Sequence, residues 1–468
     1  MKAKVTIVGA GLVGALLATL LAQRGFAVQV FERRQDPRRA GFLGGRSINL
    51  ALAERGWHGL RVAGLAARMQ PLAVMMRGRM VHDLDGRTNL QRYGRDDSEV
   101  IWSVNRGALN MVLLDAAEEA GARIDFDRRL DRVDWDTSTL HLAGEDGCTH
   151  THAAGLMIGA DGAGSALRAA MGQIIDLGER FEPLGHGYKE LEIPALSAFP
   201  QDELPPALVE AAARGERFAI EANALHIWPR GNYMCIALPN AEGSFTVTLF
   251  LPNEGSPSFT DIRTGSDARA LFARDFADAS ALIPDLEADF DGNPTGLLGT
   301  LYLERWHLDG RAVLLGDAAH AIVPFHGQGM NAGFEDAVEL ADLLAAEPER
   351  SEHVFAEFAR RRKPNSDAIA AMALENYVEM RDRVDDSDYL LLRELDRRLA
   401  ERHPGRWVPR YAMVTFTRVA YAEAFARGEI QATILREAAS GRSSLDGIDA
   451  DTLDARVRKS LPPLPTSA

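Results

Sequence analysis

The chain has 468 residues and a formal charge of −15, and these figures exclude several classes of protein. A single hydrophobic core stops growing near about 250 to 300 residues, so we expect at least two domains. The 46% hydrophobic and 25% charged residues are typical of a globular protein, neither disordered nor multispanning. The excess of acidic over basic residues disfavours nucleic acid as a partner. The only two cysteines, Cys148 and Cys235, exclude a disulfide framework and predict a reducing, cytoplasmic location.

The first element in chain order is an uncharged segment from Val5 to Ala22. By hydropathy alone it resembles a signal peptide or a single membrane span. Three glycines would weaken a spanning helix, and the apolar run Ala27 to Phe31 has the length and β-branched content of a second buried strand. We therefore interpret the segment as a strand, a glycine turn and a helix that ends near Arg24, followed by a strand.

The glycines of this turn form the pattern Gly-x-Gly-x-x-Gly. Gly9 permits the tight turn, Gly11 lets the backbone approach a pyrophosphate, and Gly14 lets the helix pack closely on the strand. Glu32 ends the second strand, where a carboxylate can accept hydrogen bonds from ribose hydroxyls. The pattern predicts a dinucleotide site, but it does not distinguish a nicotinamide from a flavin. A βαβ unit without a ligand is the alternative.

The following segments alternate in character. We predict one short strand from Met75 to His82, a helix from Arg106 to Gly121, and helices from Gly333 onward with few breakers until Pro404. Short apolar runs broken by Pro, Gly and Asn predict a second, mostly antiparallel sheet. These runs are residues 188–193, 226–228, 233–238 and 245–251.

Two further sites place an aspartate where a buried strand meets a glycine turn. They are Asp161, in residues 159–165, and Asp317, in residues 316–320. Each carboxylate could bind the hydroxyls of a flavin ribityl chain, and each could simply cap a helix. A second Gly-x-Gly-x-x-Gly is absent from the sequence, which disfavours a reductase with two nucleotide-binding domains.

In order and spacing, these three elements resemble those of the single-component flavin aromatic hydroxylases, which include para-hydroxybenzoate hydroxylase. The resemblance covers about the first 350 residues and implies FAD as cofactor and NADPH as cosubstrate. It places the first turn at the ADP part of FAD and Leu130 against the adenine. The residues that it assigns to the cofactor are Gly9, Gly11, Gly14, Glu32, Arg106, Leu130, Asp161, Asp317, Gly329, Met330 and Asn331.

A more specific set of strings resembles the kynurenine 3-monooxygenase family and extends past residue 410. The strings are Gly45–Leu52, Met75–Met80, Tyr93–Asp97, Pro324–Asn331, Glu375–Tyr377 and Pro409–Tyr411. This resemblance implies hydroxylation of L-kynurenine at ring carbon 3 with NADPH and O2, through a flavin C4a-hydroperoxide. Mitochondrial members end in a membrane-anchoring helix. The last 28 residues here contain no long apolar run, so we expect a soluble bacterial-type enzyme without an anchor, either a monomer or a homodimer.

The same resemblance assigns four residues to the polar end of the substrate, namely Arg79, Tyr93, Asn376 and Tyr411. Arg79 offers a planar fork for a carboxylate. The alternatives are a surface Arg79 paired with Asp85, a tyrosine at a packing boundary, and an asparagine that caps a helix.

The loop that follows Asp317 is expected to line the flavin edge with Phe325, His326 and Gln328. The aniline nitrogen of kynurenine already activates the ring carbon that is attacked, so no substrate deprotonation is needed. We therefore expect His326 and His320 to orient or pack rather than to act as a base, and we assign no certain catalytic residue.

The predicted fold class is α/β, with a Rossmann-like FAD-binding domain formed by residues 1–70, 98–180 and 290–345. An antiparallel substrate domain is inserted as residues 71–97 and 181–289, and residues 346–468 form a helical layer. Three other functions stay open: a hydroxylase of another aromatic acid, a flavin-free NAD-dependent dehydrogenase, and a catalytically silent flavin-binding or partner-binding protein. Metal-ligand spacing of cysteine and histidine is absent from the sequence, so no metal is expected.

Overall fold

The computed structural model describes residues 4–40, 49–145, 147–199, 204–382 and 387–465. Residues 45–48 of the predicted family string Gly45–Leu52 lie outside these residues. The strands are β1 Lys4–Val8, β2 Ala27–Phe31, β3 Asn49–Leu52, β4 Ala73–Met76, β5 Gly78–His82, β6 Thr88–Arg92, β7 Ile101–Asn105, β8 Arg123–Asp125, β9 Arg129–Asp134, β10 Thr139–Ala143, β11 Thr149–Ala153, β12 Leu156–Gly159, β13 Arg180–Ile193, β14 Ala224–Pro229, β15 Met234–Pro239, β16 Phe245–Pro252, β17 Gly296–Tyr302, β18 His307–Leu308 and β19 Ala312–Leu314. The helices are α1 Leu12–Gln23, α2 Pro37–Ala40, α3 Glu54–Val62, α4 Ala66–Met69, α5 Arg106–Glu119, α6 Ala166–Gly172, α7 Pro206–Ala213, α8 Gly265–Asp275, α9 Ala277–Ser280, α10 Leu286–Gly292, α11 Asp317–His320, α12 Gly329–Ala346, α13 Ser351–Asp382, α14 Ser387–Arg402, α15 Arg410–Phe416, α16 Tyr421–Ala439 and α17 Ala450–Ser460.

The first sheet has six strands in the order β18-β19-β12-β1-β2-β8. Strand β1 lies in the middle, parallel to β12 on one side and to β2 on the other. Helix α1 packs between this sheet and helices α5 and α12, and most of its residues are buried. The predicted βαβ unit and the α/β fold class are confirmed. The uncharged segment from Val5 is apolar because both its strand and its helix are enclosed.

None of the described helices is both long enough and apolar enough to cross a membrane.

The second large sheet has seven strands in the order β17-β13-β16-β15-β14-β5-β6. All its pairings are antiparallel except β5 with β14, so the predicted second sheet is confirmed. One face packs against helices α8 to α10, with Leu191, Val247 and Phe272 in that core. The other face carries Val81 and Phe250, which pack with Phe325 of the loop before α12.

The prediction of a single strand from Met75 to His82 is wrong. Strand β4 pairs with β7 in a separate sheet of order β3-β7-β4, whereas β5 joins the seven-stranded sheet. The chain changes sheet at Arg77. The next residue, Gly78, lacks a side chain, and a Cβ there would overlap the carbonyl oxygen of Gln91 on the neighbouring strand. The local sign of the break is Arg77-Gly78-Arg79, which interrupts the apolar residues on either side.

A small sheet of β11, β10 and β9 covers the first sheet. The chain ends in helices, with α13 packed against both α12 and α16. The predicted helical region is confirmed, and it continues beyond Pro404 to Ser460. The domain boundaries stay a prediction. Strand β17, which they assign to the FAD-binding domain, pairs with β13 of the seven-stranded sheet.

Candidate active site

Four predicted residues meet at one edge of the first sheet. Strands β1, β2, β12 and β19 run parallel, so their carboxyl ends lie side by side. The residues that follow these strands include Gly9, Glu32, Asp161 and Asp317. In open α/β sheets, ligands bind in the crevice outside such carboxyl ends.

The glycine turn after β1 has the geometry that a pyrophosphate requires. Gly9 has a φ of +100°, and a Cβ there would lie 2.5 Å from the carbonyl oxygen of Ala160. At Gly14, a Cβ would overlap the carbonyl oxygen of Gly9. A Cβ at Gly11, by contrast, would meet no atom within 4 Å, so this face of the turn is open. The first N–H groups of α1 lack intrahelical acceptors, and they favour an anion. The residues present therefore fit the diphosphate of a dinucleotide.

The Glu32 carboxylate lies over the same turn. Its Oε2 accepts a hydrogen bond of 2.8 Å from the backbone N–H of Ala10, and its Oε1 accepts one of 3.0 Å from Arg34 N–H. These bonds hold the carboxylate beside the turn and leave lone pairs available to a ribose diol.

The two aspartates differ in what their carboxylates contact. Asp161 Oδ2 accepts from the N–H groups of Ala166 at 2.7 Å and Leu167 at 3.2 Å, and Oδ1 accepts from the Ser165 hydroxyl at 2.5 Å. Asp161 thus caps α6, which is the alternative role considered above. Burial raises its pKa, and these hydrogen bonds oppose the rise. Asp317 is exposed and makes no side-chain hydrogen bond within the described part of the chain, so its carboxylate can accept from a ligand.

The other predicted cofactor residues lie around this edge. Arg106 is the exposed first residue of α5, whereas Leu130 is 6% exposed and lies in the core. Gly329, Met330 and Asn331 begin α12, so their N–H groups lack intrahelical acceptors. Their contacts with a cofactor stay a prediction.

The Asn331 side chain is engaged inside the protein. Its Nδ2 donates to the carbonyls of Ala51 and Gly327, each at 2.8 Å, and its Oδ1 accepts from Ala53 N–H at 2.9 Å. This side chain ties the loop before α12 to the start of α3. Asn331 itself is fully buried, so its side chain has a structural role here.

The sequence analysis did not predict a buried ionic cluster, which lies behind the glycine turn that follows β19. Asp336 Oδ2 accepts from Gly316 N–H at 3.0 Å and from His320 Nε2 at 2.6 Å, and Oδ1 accepts from Arg362 Nε at 2.6 Å. Burial alone raises the pKa of Asp336, but His320 and Arg362 hold it well below its usual range. His320 also stacks on Trp306. One feature of the sequence could have indicated this cluster, because Asp336 lies on the apolar side of α12.

The four predicted substrate residues lie together, although they come from distant parts of the chain. Arg79 on β5 is 9% exposed, and its Nη2 donates to Asn376 Oδ1 at 3.3 Å. Its guanidinium carbon lies 5.8 Å from the ring centre of Tyr93 and 5.7 Å from that of Tyr411. The alternative pairing with Asp85 is absent, because Asp85 binds Arg87 instead. Asn376 lies within α13 and is not a cap.

Tyr411 lies between two parallel rings. Its ring centre is 5.5 Å from that of Tyr93 and 5.4 Å from that of His326, with interplanar angles of 13° and 15°. Burial raises the pKa of both tyrosines, so their hydroxyls are neutral donors at pH 7. Burial also lowers the pKa of His326 to about 4. Its Nδ1 is buried without a hydrogen-bond partner among the described residues, which agrees with a packing role.

Phe325 continues this wall toward the seven-stranded sheet. Its ring centre lies 5.1 Å from that of Phe250 and 4.3 Å from that of Tyr377, and its carbonyl accepts from Asn376 Nδ2 at 2.5 Å. Gln328 is buried, and its Oε1 accepts from the Tyr421 hydroxyl at 2.8 Å. Sequence reasoning missed Phe250 and Tyr377. It also missed Glu379, whose carboxylate lies 3.7 Å from Arg79.

Comparison with known proteins gives the following similarities. A family model described as an FAD binding domain matches residues 2–185 and 269–373, more than half of the chain. The kynurenine 3-monooxygenase of Xanthomonas axonopodis pv. citri is 58% identical over 460 residues, 98% of this chain and 97% of that one. The enzyme of the same name from Stenotrophomonas maltophilia is 56% identical over the same shares.

Two solved structures show the same fold at low sequence identity. 2-Methyl-3-hydroxypyridine-5-carboxylic acid oxygenase aligns with a TM-score of 0.63 at 18% identity, covering 82% of this chain and 94% of that one. PqsL of P. aeruginosa, in complex with 2-aminobenzoylacetate, aligns with a TM-score of 0.61 at 22% identity, covering 81% and 97%.

Proposed function

The chain belongs to the kynurenine 3-monooxygenase family, and from that premise we propose that it hydroxylates L-kynurenine at ring carbon 3 with FAD, NADPH and O2. The observation that carries the proposal is the buried Arg79 beside Tyr93, Asn376 and Tyr411, next to an aromatic wall. Such a site suits an amino acid with an aromatic ring. The FAD-binding family model disfavours the flavin-free dehydrogenase considered above.

The polar end of L-kynurenine has a carboxylate and an ammonium group. Arg79 would bind the carboxylate through its planar fork, and the neutral hydroxyls of Tyr93 and Tyr411 would add hydrogen bonds. The Glu379 carboxylate, 3.7 Å from Arg79, offers an opposite charge to the ammonium group. Asn376 orients Arg79 through its Oδ1 and holds the Phe325 carbonyl through its Nδ2.

The aminobenzoyl ring of L-kynurenine needs an apolar slot that fixes the ring and excludes water. Phe325 and Phe250 are packed against each other at the inner face of the seven-stranded sheet, with Ile227, Met234 and Leu238 in the same cluster. His326 is neutral and packed against Tyr411, so it would support this wall. The ring carbon is activated by the substrate's own aniline nitrogen, so the proposal needs no base.

The cofactor would lie along the edge of the first sheet. Gly11 and the first N–H groups of α1 would hold its diphosphate, Glu32 its ribose, and Asp317 with the start of α12 its ribityl chain. When bound, FAD would supply the redox chemistry by which NADPH and O2 hydroxylate the substrate ring. The enclosed, apolar surroundings of the ring would keep bulk water away.

Several finer statements stay predictions. They are NADPH rather than NADH as reductant, a cytoplasmic location, a monomeric or homodimeric state, and the boundaries of the discontinuous domains. The sequence has only two cysteines, one of them buried and one exposed, and this supports a reducing compartment.

Anaerobic mixing of the FAD-loaded protein with NADPH tests the proposal. We expect the flavin absorbance to bleach faster when L-kynurenine is present, and 3-hydroxy-L-kynurenine to form once O2 is admitted. Turnover of anthranilate or a phenol instead of L-kynurenine would support the hydroxylase of another aromatic acid. A protein that retains no flavin after FAD is added would contradict the cofactor assignment.

A further inference from the structure

A hydrogen-bonded chain of two histidines lies behind strand β5, on the side opposite Arg79. His82 Nδ1 is 2.7 Å from Asp278 Oδ2 of helix α9, and His82 Nε2 is 2.8 Å from His226 Nδ1 of strand β14. His226 Nε2 lies 2.8 Å from the carbonyl oxygen of Glu221. Both histidines are buried, at 5% and 2% exposure.

The alternation of a β-strand explains why this chain faces away from the candidate site. Residues 79 and 81 of β5 point to one side, and Val81 packs there in the same cluster as Phe325. His82 points to the other side, toward the short helix α9. The two histidines and Asp278 therefore contact the strand that carries Arg79, on the face opposite to Arg79.

The directions of the hydrogen bonds determine where the protons lie. The Glu221 carbonyl can only accept, so His226 Nε2 carries a proton. Burial lowers the pKa of His226 to about 4, so this ring is neutral at pH 7 and its Nδ1 is an acceptor. The nitrogen that donates to it is His82 Nε2.

The other end of the chain is a carboxylate. Burial alone raises the pKa of Asp278, but hydrogen bonds from His82 and Trp228 hold it below its usual range. His82 thus joins helix α9 to strand β14, because one of its ring nitrogens contacts Asp278 and the other contacts His226.

Further contacts fix the positions of His82 and Asp278. The Trp228 ring stacks on His82 with the ring centres 4.1 Å apart, and its Nε1 donates to both oxygens of Asp278 at 3.0 and 2.9 Å. Arg230 Nη1 donates to the His82 carbonyl at 3.0 Å, while Arg230 Nε donates to the Asp275 carbonyl at 2.6 Å. Strand β5 is thus joined to strand β14 and to the helices behind it at this point.

We propose that the hydrogen-bonded chain Asp278–His82–His226 positions strand β5 and thereby orients Arg79 for the carboxylate of the substrate. His82 and Asp278 are positioning residues in this assignment, which rests on the proposed function. Strand β5 pairs with β14 on one side and only with the exposed hairpin strand β6 on the other. Charge-assisted hydrogen bonds to α9 are stronger than neutral ones, and they fix the strand from behind.

Histidine NMR of the FAD-loaded protein tests the hydrogen-bonded chain. In protein labelled with ¹⁵N-histidine, we expect a ring N–H signal of His82 that exchanges slowly with solvent, and this signal is assigned by its absence from His82→Gln. In Asp278→Asn, the same N–H is expected to exchange faster. Rapid exchange of the His82 ring in the unaltered protein would overturn the proposal, whatever the substrate of the enzyme is.

Steady-state kinetics test the positioning role. Asp278→Asn is expected to raise the KM for L-kynurenine about tenfold while kcat changes less than about twofold and the Kd for FAD stays unchanged. His353→Gln, which removes an exposed histidine near Glu347, is the control and leaves KM unchanged. An unchanged KM in folded, FAD-loaded Asp278→Asn would overturn the proposal.

Two further measurements distinguish a failure of the positioning role from a failure of folding or of the proposed function. If Asp278→Asn does not fold, Asp278→Glu keeps the charge and displaces it by one methylene. It should then still raise KM, and an unchanged KM would overturn the positioning role. If the unaltered enzyme does not turn over L-kynurenine, the proposed function fails, while the NMR result still decides whether His82 is held between Asp278 and His226.

Discussion

Burial determines the chemical state of single residues in the candidate site. It keeps the hydroxyls of Tyr93 and Tyr411 protonated and His326 neutral, so these groups donate or pack and do not carry charge. Arg79 retains its charge among them because a guanidinium is not deprotonated in proteins. The fixed cation of Arg79 beside neutral rings explains why a carboxylate fits this position.

Replacement of Arg79 by alanine should raise the KM for L-kynurenine about tenfold or more, because the charge-assisted bonds to the carboxylate are lost. It should also slow the NADPH oxidation that L-kynurenine stimulates. Arg87→Ala, in the same hairpin, removes an exposed arginine paired with Asp85 and should change neither quantity. Steady-state assays and substrate titrations measure both effects. Unchanged substrate affinity in Arg79→Ala would exclude it as the carboxylate ligand.

Glu190 is a second residue whose state depends on its surroundings. It shares a face of β13 with Tyr188, and burial raises its pKa from 4.5 to about 7, although Arg106 opposes this. Between those two values the folded protein holds more protons at Glu190 than the unfolded protein does. The contribution of Glu190 to stability therefore falls as the pH rises through this window.

Glu190→Gln should accordingly raise the melting temperature more at pH 8 than at pH 5. The amide cannot ionise, so the variant does not bury a charge at the higher pH. Melting curves of both proteins at the two pH values measure the effect. An equal change at both pH values would show that Glu190 is ionised across the whole range.

At the scale of elements, the turn between β1 and α1 contains two glycines with different roles. Packing within the protein requires a glycine at one position, and the proposed ligand requires one at the other. Gly14 is needed within the protein, because a side chain there would overlap the Gly9 carbonyl. Gly11 faces open space, so only a bound group would exclude a side chain. Substitutions at these two positions can therefore distinguish an effect on folding from an effect on cofactor binding.

Two alanine variants make this separation measurable. Gly14→Ala should destabilise the protein by about 1 to 3 kcal/mol, as overpacking does. Gly11→Ala should leave the stability of the flavin-free protein within about 1 kcal/mol and weaken FAD binding about tenfold. Thermal unfolding and FAD titration by flavin fluorescence give the two quantities. Wild-type FAD affinity in Gly11→Ala would show that the diphosphate does not approach this residue.

Much of the element level was predictable from sequence. The βαβ unit, the helix after Arg106 and the antiparallel sheet follow from local periodicity and glycine spacing. The break at Arg77 was not predicted, since residues 75–82 form one short run and only the tertiary structure shows that its two halves pair with different partners. Asp161 and Asp317 have the same local context, yet only the positions of α6 and its N–H groups make Asp161 a cap.

At the scale of the whole molecule, a buried ionic network connects the first sheet to the C-terminal helices. Arg55 of α3 binds Glu335 of α12 at 2.6 Å and donates to the carbonyls of Val414 and Val419. Its guanidinium lies 3.9 Å from the ring centre of Tyr421. Glu335 also pairs with Arg362 of α13, the helix that carries Asn376. The network thus holds the C-terminal helices, which supply part of the candidate site, against the nucleotide-binding part.

Arg55→Leu should lower the free energy of unfolding by about 3 kcal/mol, because it removes one partner from a buried, hydrogen-bonded network. Arg350→Leu breaks the exposed pair with Glu347 and should cost less than about 1 kcal/mol. Chemical denaturation of the two variants compares these values. Equal effects would mean that Arg55 does not stabilise the packing of the C-terminal helices.

The sequence by itself determined the dinucleotide turn, the α/β class and, through short strings, the family. These features depend on neighbouring residues, whose spacing is the same before and after folding. Only the tertiary structure decided that Arg79, Tyr93, Asn376 and Tyr411 lie together, and that Asp336 pairs with His320 and Arg362. It also decided that His82 has Asp278 and His226 as partners. These contacts join residues far apart in the chain, and their charges and protons depend on burial that exists only after the sheets and helices pack.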